Sequence, residues 1–320
     1  MPVKIMLTGA TGFVGRALIV HLHRLGHECV GVARKELEVV PGINIQSVGD
    51  ISAGVDWAKL LCGVDCVVHL AARAHLLSDD ASDPQFEFDR INFHATMRLV
   101  KQAADAGVRR FVYVSSIGVH GATSGDTPFT ETSALVPHSF YAISKLKAEK
   151  GIQDILRGST MEWVIVRPPL IYAADAPGNF RLLLNVVGKG FPLPFANVRN
   201  SRSMVSLTNL VDFLSCCVSH PRAAGEVFVI SDGSDLSIGD IVKLLAQGMG
   251  RRTSLFGFPR VLIKTCATLV GRKNIYVQLF ESLQVDSSKA RSLLGWRPVL
   301  SAHDALIDTG RASTLTFKER

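Results

Sequence analysis

The amino-acid sequence predicts an α/β fold, in which a doubly wound parallel sheet is followed by a smaller, mostly helical C-terminal lobe. Up to residue 170, short runs rich in Val and Ile alternate with longer amphipathic stretches, which is typical of alternating strands and helices. The run Cys66-Val-Val-His-Leu-Ala71 is almost entirely apolar, as expected when helices cover both faces of a sheet. We therefore divide the chain into a domain of residues 1–170 and a lobe of residues 171–320, some of whose strands and helices return to the first domain.

The individual elements follow in the order that such a sheet requires. Runs of β-branched and other apolar residues predict strands at 3–8, 28–33, 66–71, 111–115, 162–167 and 227–230. Apolar residues spaced three and four apart predict helices at 13–25, 86–106, 141–156 and 259–271. The last helix is flanked by Arg260, Lys264, Arg272 and Lys273. We expect it to face the core of the lobe, with contact to a membrane surface as the alternative.

Composition excludes several classes of protein. With 47% hydrophobic and 20% charged residues, the chain is typical of globular proteins rather than disordered or fibrous ones. Six cysteines without a Cys-x-x-Cys pair, and without histidines at a zinc spacing, predict neither a redox motif nor a metal site. The excess of basic residues lies after residue 250 and is scattered among apolar positions, so we expect no nucleic-acid partner.

Targeting signals are also not evident in the sequence. The amino terminus enters the first predicted strand without a basic leader or a cleavable apolar stretch. No uninterrupted apolar run approaches the ~20 residues that span a bilayer. We therefore expect a cytoplasmic protein without a transmembrane segment.

A glycine-rich turn, Gly9-Ala-Thr-Gly12-Phe-Val-Gly15, joins the first predicted strand to the first helix. Glycines at this spacing allow a tight turn, close approach of the backbone to a pyrophosphate and close packing of helix on strand. The helix N-terminus then faces the negative charge. The sequence therefore predicts a Rossmann-type dinucleotide site whose first ligands are Gly9, Thr11, Gly12, Phe13, Val14 and Gly15.

The residue after the second predicted strand bears on the choice of dinucleotide. An acidic side chain there would accept hydrogen bonds from the adenosine ribose, whereas an arginine pairs with a 2′-phosphate. Arg34 holds this position, followed by Lys35. NADP(H) is therefore preferred, NAD(H) remains possible, and Arg16 is a second candidate for contact with the phosphate.

Three further side chains predict proton-transfer chemistry. Tyr141 and Lys145 lie four residues apart, on one face of a predicted helix, and we expect the ammonium to lower the pKa of the phenol from ~10 towards neutrality. Ser116 follows the strand at 111–115, at the edge where parallel sheets bind ligands. Ser116, Tyr141 and Lys145 are thus the predicted catalytic residues, exchanging a proton with a sugar or steroid oxygen.

Motifs spread over almost the whole chain carry a family resemblance. They are Thr8-Gly9-x-x-Gly12-x-x-Gly15, Gly49-Asp50-Ile51, His69-Leu-Ala-Ala72, Asn92, Ser115-Ser116, Tyr141-x-x-x-Lys145, Arg167-Pro-Pro169, Asn179-Phe180, Arg202 and Leu294-Gly-Trp-Arg-Pro298. Together they resemble extended short-chain dehydrogenases/reductases of the nucleotide-sugar epimerase/dehydratase group. The resemblance implies a homodimer built through helices 86–106 and 141–156.

The same resemblance implies roles for particular residues. The cofactor would also contact Asp50, Ile51, Leu70, Ala71, Ala72, Asn92, Tyr141, Lys145 and Pro168. A UDP-sugar substrate would contact Arg73, Ser116, Asn179 and Arg202, because a guanidinium such as that of Arg202 matches the geometry of a diphosphate.

The residues after Ser116 narrow the reaction. Dehydratases of this group carry an Asp-Glu pair there, whereas Ile117 and Gly118 follow Ser116 here, so dehydration is disfavoured. The preferred interpretation is NADPH-dependent reduction of the C4 ketone of a UDP-2-acetamido-2,6-dideoxy-4-hexulose, since Arg34 favours NADPH and runs such as 282–286 resemble bacterial O-antigen reductases. The alternative is a UDP-glucose or UDP-N-acetylglucosamine 4-epimerase with retained NAD. A non-catalytic NADP-sensing regulator and a steroid- or flavonoid-type reductase also stay open.

Overall fold

The computed structural model describes residues 2–35, 42–74 and 83–318. Its strands are β1 (Lys4–Thr8), β2 (Glu28–Ala33), β3 (Asn44–Ser47), β4 (Cys66–His69), β5 (Arg110–Val114), β6 (Glu162–Arg167), β7 (Leu170–Tyr172), β8 (Met204–Ser206) and β9 (Glu226–Val229). Seven of these strands form one parallel sheet in the order β3-β2-β1-β4-β5-β6-β9, and β7 and β8 form a separate parallel pair.

Twelve helices connect and cover the strands in the described part of the chain. They are α1 (Phe13–Arg24), α2 (Ala58–Leu61), α3 (Pro84–Asp89), α4 (Ala95–Asp105), α5 (Phe140–Ile155), α6 (Asn179–Gly188), α7 (Leu207–Ser219), α8 (Ile238–Gly248), α9 (Arg260–Leu269), α10 (Lys273–Phe280), α11 (Ser288–Leu294) and α12 (Ala302–Lys318). Five of the helices described begin after a side chain that accepts a hydrogen bond from the amide three residues on, as good N-caps do: Asp83, Ser139, Ser206, Ser237 and Ser301. None of the helices described is long and apolar enough to cross a bilayer.

The centre of the main sheet is β1, which lies between β2 and β4. Thr8, the last residue of β1, pairs with Val32 of β2 and with His69 of β4, so the carboxyl ends of three strands meet at one edge. The strand order reverses at this point, because β2 and β3 lie on one side of β1 and β4, β5 and β6 on the other. Ligands of open α/β sheets bind in the crevice outside such an edge.

Helices cover both faces of the main sheet. One face packs against α1 and α7, in a core that includes Leu18, Val68 and Phe213. The opposite face packs against α4 and α5, in a core that includes Leu99, Phe111 and Ile152. A third core joins α6, α8 and α12 in the C-terminal part of the chain, around Leu184, Val242 and Leu306.

The predicted fold class is confirmed, and all six predicted strands are present. The pattern missed β3, β7 and β8, which have four, three and three residues and are too short to show a period. The predicted helix at 86–106 is interrupted by a π-helical turn at Arg90–His94, between α3 and α4. Because β9 pairs with β6, the chain after residue 171 returns to the main sheet, and the division at residue 170 stays a prediction.

Candidate active site

The glycine turn between β1 and α1 leaves no room for side chains. Gly9 has a φ of +72°, which favours glycine, and a Cβ there would lie 2.9 Å from the backbone nitrogen of Ala71. The Gly12 amide donates to the Gly9 carbonyl oxygen at 2.9 Å, and a Cβ at Gly15 would overlap that oxygen. No side chain caps α1, so its first amides are available to an anion. This cradle fits the pyrophosphate of a dinucleotide, and it also contains Thr11, Phe13 and Val14.

The loop after β3 presents a carboxylate at the position predicted for the adenine. Asp50 begins a 3₁₀ turn at Ile51–Ala53, its Oδ1 accepting from the Ser52 amide at 2.9 Å and its Oδ2 from Arg90 Nη1 at 3.0 Å. The hydrogen bonds from Ser52, more than the charge of Arg90, lower the pKa of Asp50. Asp50 is therefore ionised and held in place, with Ile51 beside it.

Two arginines were predicted to contact a 2′-phosphate, and they have different surroundings. Arg34 is exposed directly after β2, and its carbonyl oxygen accepts from Ser47 Oγ at 3.1 Å. Arg16 Nη2 lies 3.7 Å from Asp175 Oδ2, and both side chains are about half exposed. The interpretation of Arg16 as a phosphate ligand is therefore weakened, because the Asp175 carboxylate would repel the phosphate.

Asn92 ties the loop after β4 to the helix that carries Tyr141. Its Oδ1 accepts from the Arg73 amide at 2.8 Å, and its Nδ2 donates to the Arg73 carbonyl and to Ser144 Oγ, both at 3.0 Å. Ser144 Oγ donates in turn to the Tyr141 carbonyl oxygen at 2.8 Å. Both amide hydrogens of Asn92 are thus used within the chain, so its predicted contact with the cofactor would have to use Oδ1. The loop fixed in this way contains Leu70, Ala71 and Ala72.

Ser116 lies next to the start of α5. Its Oγ accepts from the Gly118 amide at 3.1 Å, which leaves the hydroxyl proton to be donated elsewhere. A Cβ built at Gly118 would lie 3.3 Å from Ser116 Oγ and 3.6 Å from the Cβ of Ala142, the residue after Tyr141. The Ile117 amide donates to the carbonyl oxygen of buried Pro168 at 2.9 Å, so the turn after Ser116 is held against the end of β6.

Lys145 is buried between two tyrosine rings. Its Nζ donates to the Val114 carbonyl oxygen at 2.8 Å, and lies 4.7 Å from the ring centre of Tyr113 and 5.8 Å from that of Tyr141. Burial lowers the pKa of Lys145 to about 7, opposed by the carboxylate of Glu149 one turn further along α5. Lys145 therefore loses its proton far more readily than an exposed lysine and is partly neutral near pH 7.

The Tyr141 phenol is also removed from water, and burial raises its pKa to about 12. The expectation that Lys145 brings this pKa towards neutrality is therefore wrong. Desolvation of the phenolate outweighs the attraction of an ammonium that is itself partly neutral. Tyr141 is a protonated group at neutral pH.

The two residues expected at the diphosphate both contact α10 or the residue that follows it. Asn179, the first residue of α6, donates from Nδ2 to Gln278 Oε1 at 2.5 Å. Arg202 Nη1 donates to the Glu281 carbonyl oxygen at 3.1 Å, and burial lowers the pKa of Arg202 to about 10. Arg202 is thus a largely buried cation, and within the described part of the chain this single bond uses one of its five donor hydrogens.

A buried hydrogen-bonded chain beneath the glycine turn was missed from the sequence. The Ala71 amide donates to Thr8 Oγ1 at 3.3 Å, Thr8 Oγ1 lies 2.7 Å from His69 Nδ1, and His69 Nε2 lies 2.9 Å from Thr96 Oγ1. Thr96 Oγ1 donates to the Asn92 carbonyl at 2.8 Å, so the chain is consistent only if His69 carries its proton on Nε2. Burial lowers the pKa of His69 to about 3, which keeps the ring neutral.

No metal site accompanies these residues, since the residues described at 2–35, 42–74 and 83–318 contain no group of three or more His, Cys, Asp or Glu arranged as metal ligands. The arrangement can instead bind a dinucleotide, hold an oxygen atom with Ser116 and exchange a proton with Tyr141. Together the fold and the site define a dinucleotide-dependent α/β enzyme.

Comparisons with known proteins agree with this class. The model of the NAD dependent epimerase/dehydratase family matches residues 5–231. UDP-glucose 4-epimerase of Vibrio cholerae is 38% identical over 315 residues, which cover 98% of this chain and 96% of the relative. The chain belongs to the NAD-dependent epimerase/dehydratase family and is an enzyme of that family.

Solved structures share the fold over nearly the whole chain. UDP-glucuronic acid 4-epimerase from Bacillus cereus, in complex with NAD, matches with a TM-score of 0.79 at 20% identity, covering 98% of this chain and 99% of its own. UDP-glucose 4-epimerase from Thermotoga maritima, with UDP-glucose, matches with a TM-score of 0.78 at 19% identity and the same coverage.

Proposed function

We propose that this protein is a nucleotide-sugar 4-epimerase that retains NAD and inverts C4 of a UDP-hexose. The observation that carries the proposal is the position of Tyr141 and Lys145 on α5, beside Ser116 and at the same sheet edge as the glycine cradle. The 38% identity to a relative named UDP-glucose 4-epimerase, over nearly the full length of both chains, supports the same reaction. UDP-glucose and UDP-N-acetylglucosamine are the first substrates to test.

In this reaction the chain's own residues hold and move one proton. Ser116 Oγ, which accepts from Gly118, donates its proton to the sugar O4 and so fixes that oxygen. Tyr141 first has to lose its own proton; as a phenolate it takes the proton of the 4-hydroxyl group, and it returns that proton once the sugar has presented its other face. Lys145, when protonated, stabilises the phenolate form of Tyr141 before the proton is accepted and after it is returned. NAD, when bound, supplies the hydride acceptor and a positive charge that favours the phenolate.

The turn after Ser116 disfavours elimination of water from the sugar. Dehydration needs an acid beside the hydroxyl that leaves. Ile117 is buried at 5% exposure and Gly118 has no side chain, so this turn offers no carboxyl group. Epimerisation and reduction need no such acid.

Reduction of a 4-keto sugar by NADPH is a second candidate, and Arg34 is the observation that favours it. Its exposed side chain follows β2, where an acidic residue would suit the ribose of NAD. The comparisons support NAD and epimerisation better than this reading, since the family is described as NAD dependent. A role as a non-catalytic sensor is disfavoured, because the chain keeps Ser116, Tyr141 and Lys145.

The expected homodimer is part of the proposal. Helices α3 and α5 overlap the segments that the family resemblance assigns to the dimer. They pack against each other, and each carries an exposed phenylalanine. Phe86 is 57% exposed and Phe140 is 50% exposed. Burial of both rings against a second copy would remove apolar surface from water.

A direct assay separates the two candidate reactions. Purified protein is incubated with UDP-glucose or UDP-N-acetylglucosamine without added cofactor, and the 4-epimer is measured by chromatography. In parallel, NADPH absorbance is followed with a UDP-4-keto-2-acetamido-2,6-dideoxyhexose. We expect the 4-epimer to form, and Tyr141→Phe to lower turnover by about 10² to 10⁴ while NAD still binds.

Each other result has a definite meaning. Consumption of NADPH without any epimer would replace epimerisation by reduction. Unchanged turnover in Tyr141→Phe would remove the assigned site. Binding of a steroid but not of UDP would point to a steroid-type reductase, for which Arg202 has no role.

A further inference from the structure

Helix α9 presents apolar side chains to solvent. Although its sequence is rich in Val, Leu and Ile, none of its residues is fully buried. In the described part of the chain, fifteen large hydrophobic side chains are exposed, and six of them lie within residues 256–270. These six are Phe256 (42%), Phe258 (43%), Val261 (74%), Leu262 (52%), Leu269 (81%) and Val270 (69%). The expectation of a helix that faces the core is met only by Ile263 and Ala267, which pack against the lobe.

The exposed apolar residues of α9 lie towards one side of the helix. At 100° per residue, Val261, Leu262, Cys266 and Leu269 project to the same side, opposite Ile263 and Ala267. The threonines of α9 add little polarity, because their hydroxyls donate to carbonyl oxygens four residues earlier at 2.9 and 2.8 Å. This apolar face could therefore be buried in an apolar environment without leaving the threonine hydroxyl groups unsatisfied.

The segment that carries this face is strongly basic. Residues 241–280 contain no Asp or Glu, and they contain seven basic residues: Lys243, Arg251, Arg252, Arg260, Lys264, Arg272 and Lys273. Arg260 is partly used, since it donates to the Phe280 carbonyl at 2.7 Å and lies 4.0 Å from Glu281. Lys264 and Arg272 are exposed on and directly after the helix.

We propose that residues 256–272 dock the protein on the surface of an anionic lipid bilayer. The apolar face of α9 would enter the interface, with Lys264 and Arg272 among the headgroups. An exposed apolar helix face bordered by cations is typical of interfacial helices. A second copy of this chain would bring the same positive charge to the face and would be repelled. Because α9 packs against α10, which contacts Asn179, docking would hold the lobe that carries the expected phosphate ligands near the membrane.

Cys266 offers a reporter on the docking face. Cys62 and Cys266 are the exposed thiols of the described chain, whereas Cys29, Cys66 and Cys217 are buried and Cys216 is half-buried. An environment-sensitive fluorophore is attached to Cys266 in a Cys62→Ser protein, and to Cys62 in a Cys266→Ser protein. With vesicles of phosphatidylcholine and phosphatidylglycerol, we expect a blue shift from the label at position 266 and none from the label at position 62.

Co-sedimentation with the same vesicles measures binding strength. We expect Val261→Ser/Leu269→Ser to weaken partitioning by about tenfold or more, and Lys264→Gln/Arg272→Gln to weaken it by about tenfold, with further loss at high salt. Leu25→Ser/Val299→Ser, which changes apolar residues of 56% exposure elsewhere, is the matched control and should bind like the unmodified protein. All variants change exposed side chains, and circular dichroism checks their folding.

Several results would overturn this inference. One is failure of the unmodified protein to bind anionic vesicles, and another is equal binding to vesicles of phosphatidylcholine alone. A third is a dimer that dissociates in Val261→Ser/Leu269→Ser, which would assign the face to contact between copies. The inference does not depend on the proposed epimerase activity, because vesicle binding is measured without substrate.

Discussion

Glu149 and Arg167 form an ion pair that is almost completely removed from water. Arg167 Nη2 lies 2.6 Å from Glu149 Oε2, and the side chains are 5% and 2% exposed. Arg167 Nη1 also donates to His120 Nε2 at 3.0 Å, and His120 Nδ1 can then donate to the Ala134 carbonyl at 3.1 Å. The pair joins the end of β6 to α5 one turn beyond Lys145, so it supports the catalytic helix from beneath.

Removal of one partner should be much more costly than removal of both. Glu149→Leu leaves a buried, unpaired guanidinium, and we expect the free energy of unfolding to fall by about 3–5 kcal/mol. Glu149→Leu/Arg167→Met should cost clearly less than the sum of the two single changes, as measured by urea unfolding. The exposed pair of Asp154 and Arg157 on the same helix provides the control, since Asp154→Leu should cost about 0.5 kcal/mol or less. Additive losses would show that the buried pair is not coupled.

Burial of Lys145 should make stability depend on pH. Its pKa is about 7 in the folded protein and near 10.5 in the unfolded chain, so between these values the unfolded chain binds more protons. Stability due to this residue therefore rises with pH and is lost as pH falls towards 7. The free energy of unfolding of Lys145→Met, measured relative to that of the unmodified protein, should therefore be most favourable near pH 7. This difference should become smaller as the pH is raised to 9.

Urea unfolding at pH 7, 8 and 9 tests this dependence. Burial raises the pKa of Cys29 to about 11, so this thiol also contributes to the pH dependence as it begins to titrate in the unfolded chain near pH 9. This contribution is the same in both proteins and cancels in the difference. Lys147→Met, which changes a half-exposed lysine two residues further along α5, should show no such trend. A difference between Lys145→Met and the unmodified protein that stays constant with pH would mean that Lys145 keeps its ordinary pKa.

Much of the site could be predicted because its motifs are local. The cradle at Gly9 follows from three glycines between a strand and a helix, and the position of Tyr141 beside Lys145 follows from helical spacing. Long-range partners could not be predicted in this way. Thr8 and His69 are 61 residues apart, and only the register of β1 against β4 brings them together. The direction of the Tyr141 pKa shift also depends on burial, which no local pattern reports.

Arg34 should control the choice between the two dinucleotides. If its guanidinium pairs with a 2′-phosphate, Arg34→Asp should weaken NADP⁺ binding by about tenfold or more and leave NAD⁺ binding unchanged or improved. Calorimetric titration with each dinucleotide measures the ratio of the dissociation constants. Arg24→Asp makes the same charge change at the exposed end of α1 and should leave this ratio unaltered. If Arg34→Asp does not change this ratio, Arg34 does not contact the 2′-phosphate and its side chain simply faces solvent.

The neutral His69 should matter for both stability and acid tolerance. His69→Leu removes the acceptor of the buried Thr8 hydroxyl proton and the donor to Thr96 Oγ1, so we expect the free energy of unfolding to fall by about 2–4 kcal/mol at pH 7. His69→Gln, which can still donate and accept, should lose less. Because burial holds the pKa of His69 at about 3 and the unfolded chain titrates near 6.5, stability is lost as pH falls through this window.

When the pH is lowered from 7 to 5, the free energy of unfolding of His69→Gln should therefore fall by about 1–2 kcal/mol less than that of the unmodified protein. Urea unfolding at both pH values gives this difference, in which all other titrating groups cancel. His23→Gln, a change at an exposed histidine of α1, serves as the control and should follow the unmodified protein. Equal acid sensitivity of His69→Gln and the unmodified protein would mean that His69 takes up a second proton and is positively charged in the folded protein. A charged His69 would carry a proton on Nδ1 as well as on Nε2. Nδ1 could then no longer accept the hydrogen bond from the Thr8 hydroxyl.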